Sequence, residues 1–111
     1  MDKDVKCIVR LRVIKEDGEI GTAFGKGTAL LLKGVRELHS LNAAAKSIGM
    51  AYSKAWTSIN ETEAHLGFAL IERNAQRGSE LTEKGQKILQ NYEAAEAAAQ
   101  KAAQKVFDLE A

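Results

Sequence analysis

Apolar and polar residues alternate with period two along the first stretch of the chain. Val5, Cys7, Val9, Leu11 and Val13 fall on one side, and Lys6, Ile8, Arg10, Arg12 and Ile14 on the other. Such a period in β-branched residues predicts a strand with one apolar face. Asp17-Gly18 signals a hairpin turn, and Ile20, Thr22 and Phe24 alternate again as a return strand.

From Gly25 to Ser79 the period lengthens to that of a helix. Leu30, Leu31, Val35 and Leu38 predict a first helix through His39, with Thr28 as its candidate cap. Asn42 is suited to cap a short second helix, AAAKSI, whose narrow apolar face is Ala44, Ala45 and Ile48. Gly49 stands where a left-handed residue closes a helix. A third helix starts near Tyr52, turns Ala55, Ile59 and Leu66 inward with Trp56 at the edge of that face, and stops at Gly67. FALIER reads as a short strand, NAQRGS as a turn, and Glu80-Leu81 as the start of a return strand.

The last zone has no helix breaker beyond Gly85. Thr82 caps it and Glu83 puts an acid in the first turn. The predicted helix runs to Leu109, roughly 40 Å at about 1.5 Å per residue. Ile88, Tyr92, Ala95, Ala99, Ala102, Val106 and Leu109 are spaced alternately by four and three, the period of a heptad seam. A helix this long cannot bury its seam on so small a domain, so the seam predicts a homodimer, its alanines letting a partner helix approach closely.

The 111 residues suit one domain with one core. The absence of proline and the 18 alanines fit a mainly helical chain. The single cysteine, Cys7, excludes an internal disulfide and a cysteine-built zinc site, and fits a reducing compartment. No apolar run reaches the roughly 18 residues of a membrane span, and the charged N-terminus has no signal-peptide core. A cytoplasmic protein with no membrane partner is expected. His39 and His65 stand apart from each other and from ligand-spaced Cys, Asp or Glu, so no metal, cofactor or catalytic residue is expected. Glu61 and Glu63, two apart on a helix, share no face and read as solvated. In GTAFGKGT, Gly21 and Gly25 enclose three residues where a phosphate-binding loop needs four before Gly-Lys, so the segment reads as a turn.

Charge does not advertise a nucleic-acid partner. The net charge is +1, and residues 40–81 hold four cations against four anions. Any such function must come from local pattern. That pattern is present: a short helix, a glycine turn and a longer second helix have helix-turn-helix spacing, and small residues at Ala44 and Ala45 permit a steep helix crossing. The N-terminal part of the second helix would face base edges in the major groove, offering Ala51, Tyr52, Ser53, Lys54, Thr57 and Ser58. Arg73 and Arg77 stand at the base and tip of the following turn, within reach of a phosphate or the minor groove.

Residues 25–73, with GKGTALL, SLNAAAKSIGM and AYSKAWTSIN, resemble the N-terminal DNA-binding domain of the ModE family of molybdate-responsive regulators. ERNAQRGSELTEKGQKIL looks equally like the wing and linker-helix start of LysR-type regulators. The resemblance implies a winged helix-turn-helix that dimerises through a flanking helix. It gives Tyr52, Ser53, Lys54 and Thr57 to the recognition helix and makes Trp56 a packing residue. It also implies that molybdate, if relevant, is sensed by a separate protein, because no molybdate-binding domain is seen here.

The expected fold is therefore mainly α with small β: residues 1–81 a β-hairpin plus winged helix-turn-helix, residues 82–111 a long dimerisation helix in the same unit. The expected function is sequence-specific transcriptional regulation on double-stranded DNA, without enzyme activity. The alternative, favoured by the near-neutral charge, is an interaction and dimerisation module that has lost DNA binding.

Overall fold

Leu31, Leu32 and Val35 form one stripe of a helix, and burying that stripe organises the chain. The computed structural model describes residues 5–18, 23–74 and 78–110. Helix α1 spans Lys26–Leu38, α2 Leu41–Ser47, α3 Tyr52–Leu66 and α4 Glu83–Glu110. Strands β1 (Ile71–Asn74) and β2 (Gly78–Leu81) pair antiparallel, with Ile71 opposite Leu81 and Arg73 opposite Ser79. The core gathers Phe24, the α1 stripe, Leu41 and Ala44 of α2, Ile59 of α3, Leu70, and Leu89 of α4.

Several helix ends differ from the expected ones. Thr28 does not cap α1. It lies inside the helix, buried, with its hydroxyl 3.4 Å from that of Thr62 on α3. The α1 stripe is also shifted: Leu32 is buried, Leu30 is half-buried and Leu38 is exposed, because α1 packs against α2, α3 and α4 together. Ser40, not Asn42, caps α2, its Oγ accepting from the Ala43 N–H at 3.1 Å. The earlier start puts Leu41 inside the helix, where it reaches the core. His39 closes α1 in the left-handed region (φ 58°), and its carbonyl accepts from the Ser79 N–H at 2.9 Å, tying β2 to α1.

Thr82 starts α4 as expected. Its Oγ1 accepts from the Gly85 N–H at 2.8 Å and donates to the Ala69 carbonyl at 2.7 Å. Farther along, Tyr92 is buried with its ring 5.3 Å from that of Phe24, edge to face. Burial, with Glu96 beside it, raises its phenol above the ordinary range. Arg36 of α1 grips Glu93 with two hydrogen bonds of 2.9 and 3.1 Å and holds that carboxyl below its usual range.

Among the described residues the N-terminal hairpin is realised at one point. Val13 and Phe24 exchange both backbone hydrogen bonds, at 2.8 and 2.9 Å, and the Gly18 N–H closes a turn on the Lys15 carbonyl. Ile20 and Thr22 of the expected return strand lie outside the described residues. The period-two burial does appear, with Cys7, Val9 and Leu11 half-buried and Lys6, Ile8, Arg10 and Arg12 exposed. Its partner is α4. Gln104 Oε1 accepts from the Cys7 N–H at 2.7 Å and Gln100 Oε1 from the Val9 N–H at 2.8 Å, while the two amide nitrogens donate to the carbonyls of Val5 and Cys7. Alternation reports one apolar face; it does not say what satisfies the backbone edge.

The radius of gyration is 16.0 Å, with a longest extent of 54 Å. A compact chain of this length would have about 13 Å. The difference is α4, whose far end leaves the body with Val106 60% and Leu109 79% exposed.

Candidate nucleic-acid interface

Helices α2 and α3 meet through Ile48 to Ala51, with Gly49 at φ 69° making the turn. Ala55 and Ile59 of α3 are fully buried against Ala44 and Ala45 of α2 and their neighbours, so the opposite face of α3 is fixed outward. On that face Tyr52, Ser53, Lys54 and Thr57 are exposed and Ser58 is half-buried. Ala51 leaves the first turn of α3 without a side-chain cap. Its free N–H groups add to the donors available there.

The chemistry offered is specific. Lys54 brings a cation. Ser53 can donate or accept. Thr57 donates its hydroxyl to the Ser53 carbonyl at 3.0 Å, so toward a partner it acts as an acceptor with a methyl group beside it. Asn60, also exposed, lies in helical line with Ser53 and Thr57 and presents an amide of the kind that reads adenine. Asn60 lies beyond the N-terminal half of the helix, and its i, i+4, i+7 spacing with Ser53 and Thr57 is the sequence signal for it.

Two strands stand beside this helix, and the contact between them is direct. The Arg73 guanidinium lies 3.9 Å from the Trp56 ring centroid, and its Nη2 donates to the Tyr52 hydroxyl at 2.8 Å. Tyr52 and Trp56 meet edge to face at 6.2 Å. Arg73 is thus brought to α3, while Arg77 lies outside the described residues. Glu63 is not simply solvated. Its Oε2 accepts from the N–H groups of Leu70 and Ile71 at 2.6 and 3.3 Å, fixing the start of β1 to α3. His65 Nε2 accepts from the Lys15 N–H at 3.1 Å. Among the described residues, no three His, Cys, Asp or Glu side chains gather as a metal site, and no helix is long and apolar enough to cross a membrane.

The residues proposed for a dimer interface divide. Tyr92 is buried inside the protomer and Ile88 packs against the core, so neither is a free seam position. Ala95, Ala102, Val106 and Leu109 are exposed and Ala99 is half-buried, leaving a small-residue and apolar stripe along the outer half of α4.

Comparison with known proteins agrees with this geometry. A family model described as "Bacterial regulatory helix-turn-helix protein, lysR family" matches residues 30–86. The structure is similar to the CbnR DNA-binding domain solved in complex with DNA, at 25% identity over 77% of this chain and 97% of that one, with a TM-score of 0.65. It is also similar to CbnR, a LysR family transcriptional regulator, at 26% identity over 72% of this chain and a TM-score of 0.60. A second LysR family transcriptional regulator matches at 26% identity over 73% of this chain, with a TM-score of 0.59. The match covers 27% of each of these two longer chains. Among curated proteins none matches.

Proposed function

The chain belongs to the bacterial regulatory helix-turn-helix proteins of the lysR family, and from that premise we propose that it is a sequence-specific DNA-binding transcriptional regulator working as a homodimer. The observation that carries the proposal is the outward face of α3, with Ser53, Lys54 and Thr57 exposed on a helix whose other side is locked into the core. Tyr52 and Ser58 flank the face, Arg73 adds backbone contacts from the wing, and Arg77 is proposed for the same role.

Two α3 helices would read two half-sites one helical turn apart, about 34 Å in the simplest case. The exposed stripe of Ala95, Ala99, Ala102, Val106 and Leu109 supports pairing through α4, the partner helix doubling contacts that one nearly neutral protomer lacks. A cytoplasmic location accords with this role. The proposal extends to a ModE-like role, for which the GKGTALL, SLNAAAKSIGM and AYSKAWTSIN segments speak; a separate molybdate-sensing protein would be a further partner in that case.

The test is selection of a duplex from a random-sequence pool, followed by anisotropy over a salt series with wild type and Lys54→Ala. Binding with a negative slope of log K against log salt is expected, shallower by up to about 0.9 in the variant if Lys54 meets a phosphate. A protein that enriches no sequence and shows no salt slope would instead be the interaction module that its net charge of +1 favours.

A further inference from the structure

Trp56 carries its indole N–H into the interior, where Nε1 is buried with no hydrogen-bond partner among the described residues. An unsatisfied buried donor is a cost that a phenylalanine would not carry. What the larger ring supplies is its face, and Arg73 occupies that face at 3.9 Å. Tryptophan is the best aromatic partner for a guanidinium. A second constraint comes from Tyr52, whose hydroxyl accepts from Arg73 Nη2 at 2.8 Å. The ring holds the guanidinium carbon over its face, and the hydroxyl holds one of its nitrogens.

Among the described residues the held cation forms no ion pair. The ion pairs Lys26–Glu96 and Arg36–Glu93 do not involve Arg73. The nearest strand carboxylates, Glu72 and its cross-strand partner Glu80, project from the other face of the sheet. One of the five guanidinium N–H donors is engaged by Tyr52, and the others remain on an exposed side chain beside the N-terminal turn of α3.

We propose that Trp56 and Tyr52 are positioning residues for Arg73, holding its guanidinium at the junction of wing and recognition helix so that its remaining N–H groups bind a backbone phosphate of DNA. The inference rests on the DNA-binding reading above and deepens it. It assigns a role in DNA affinity to Trp56, a side chain that does not touch DNA, and makes Tyr52 a support for Arg73 in place of a base reader. Immobilising the arginine before binding lowers the ordering cost of the contact.

The experiment uses the full chain and a mixed-sequence duplex of about 30 base pairs, since a phosphate contact is independent of sequence. Arg73→Ala is expected to make the salt slope shallower by about 0.9, the value for one phosphate in each protomer–DNA contact. Tyr52→Phe, which removes one exposed hydroxyl, and Trp56→Leu are expected to weaken binding in wild type and to add nothing in the Arg73→Ala background. Trp56→Phe, which keeps a ring face, is expected to retain most of the affinity. Trp56 is the chain's only tryptophan, so its fluorescence reads the stack without DNA. Arg73→Ala should shift the emission as the ring face becomes solvated. Losses that add independently, or an unchanged slope in Arg73→Ala, would overturn the positioning role while leaving DNA binding standing. A wild type with no salt-dependent binding would overturn the DNA reading itself, and the phosphate contact with it.

Discussion

At Gly34 the first two helices leave no room for a side chain. A Cβ there would lie 2.5 Å from the Cβ of Ala44, nearer than packed carbons approach. In an exposed helix, glycine to alanine gains about 0.5–1 kcal/mol. Overpacking a tight contact costs about 1–3 kcal/mol, so the clash decides the sign. Gly34→Ala is expected to lower the urea midpoint, whereas Gly27→Ala, with nothing within 4 Å of its Cβ, should raise it slightly. Such close approaches were not legible in the sequence, which shows Ala44 as small but not what it must admit. Glu63 makes the same point. Its distance of two from Glu61 separated their faces correctly, yet its bonds to the Leu70 and Ile71 N–H groups depend on how the chain returns after Gly67. What could be read was the outward face of α3: Tyr52, Ser53, Lys54 and Thr57 are exposed because Ala55 and Ile59 fix the helix rotation.

Among elements, those legible in advance carry their own period and punctuation. Helix α3 begins at Tyr52 and closes on Gly67 at φ 85°, and α4 runs from Glu83 through the proline-free tail. The N-terminal segment was harder, because its partner is chosen by side chains 91 to 99 positions away. Gln100 and Gln104 act as a surrogate strand edge for Val5, Cys7 and Val9. Gln100→Ala with Gln104→Ala should therefore release this segment without melting the helices. Hydrogen exchange at the Cys7 and Val9 amides is the measurement, and loss of their protection with unchanged exchange in α1 and α3 is the expected outcome. The effect on global stability should be small, on the order of 1 kcal/mol per partly exposed hydrogen bond at most.

For the whole molecule, the long helix and the charge are one problem. A single protomer with net charge +1 would make few phosphate contacts with DNA, and α4 carries an exposed stripe beyond the body. The proposed dimer would answer both. The heptad reading found the stripe but enlisted Tyr92, which the protomer buries against Phe24. A period cannot tell which of two adjoining apolar faces belongs to the protomer. Ala102→Glu places charge on the exposed stripe, away from the core, and should shift sedimentation toward the monomer mass. An unchanged mass would move the interface elsewhere. The claim on which the rest depends is that the outer face of α3, with Arg73 beside it, meets DNA. The most direct test is an amide-resolved NMR titration of the protein with its selected duplex. Perturbations concentrated at residues 52–60 and 71–74 are predicted; shifts confined to α4 and the N-terminal segment, or none at all, would contradict it.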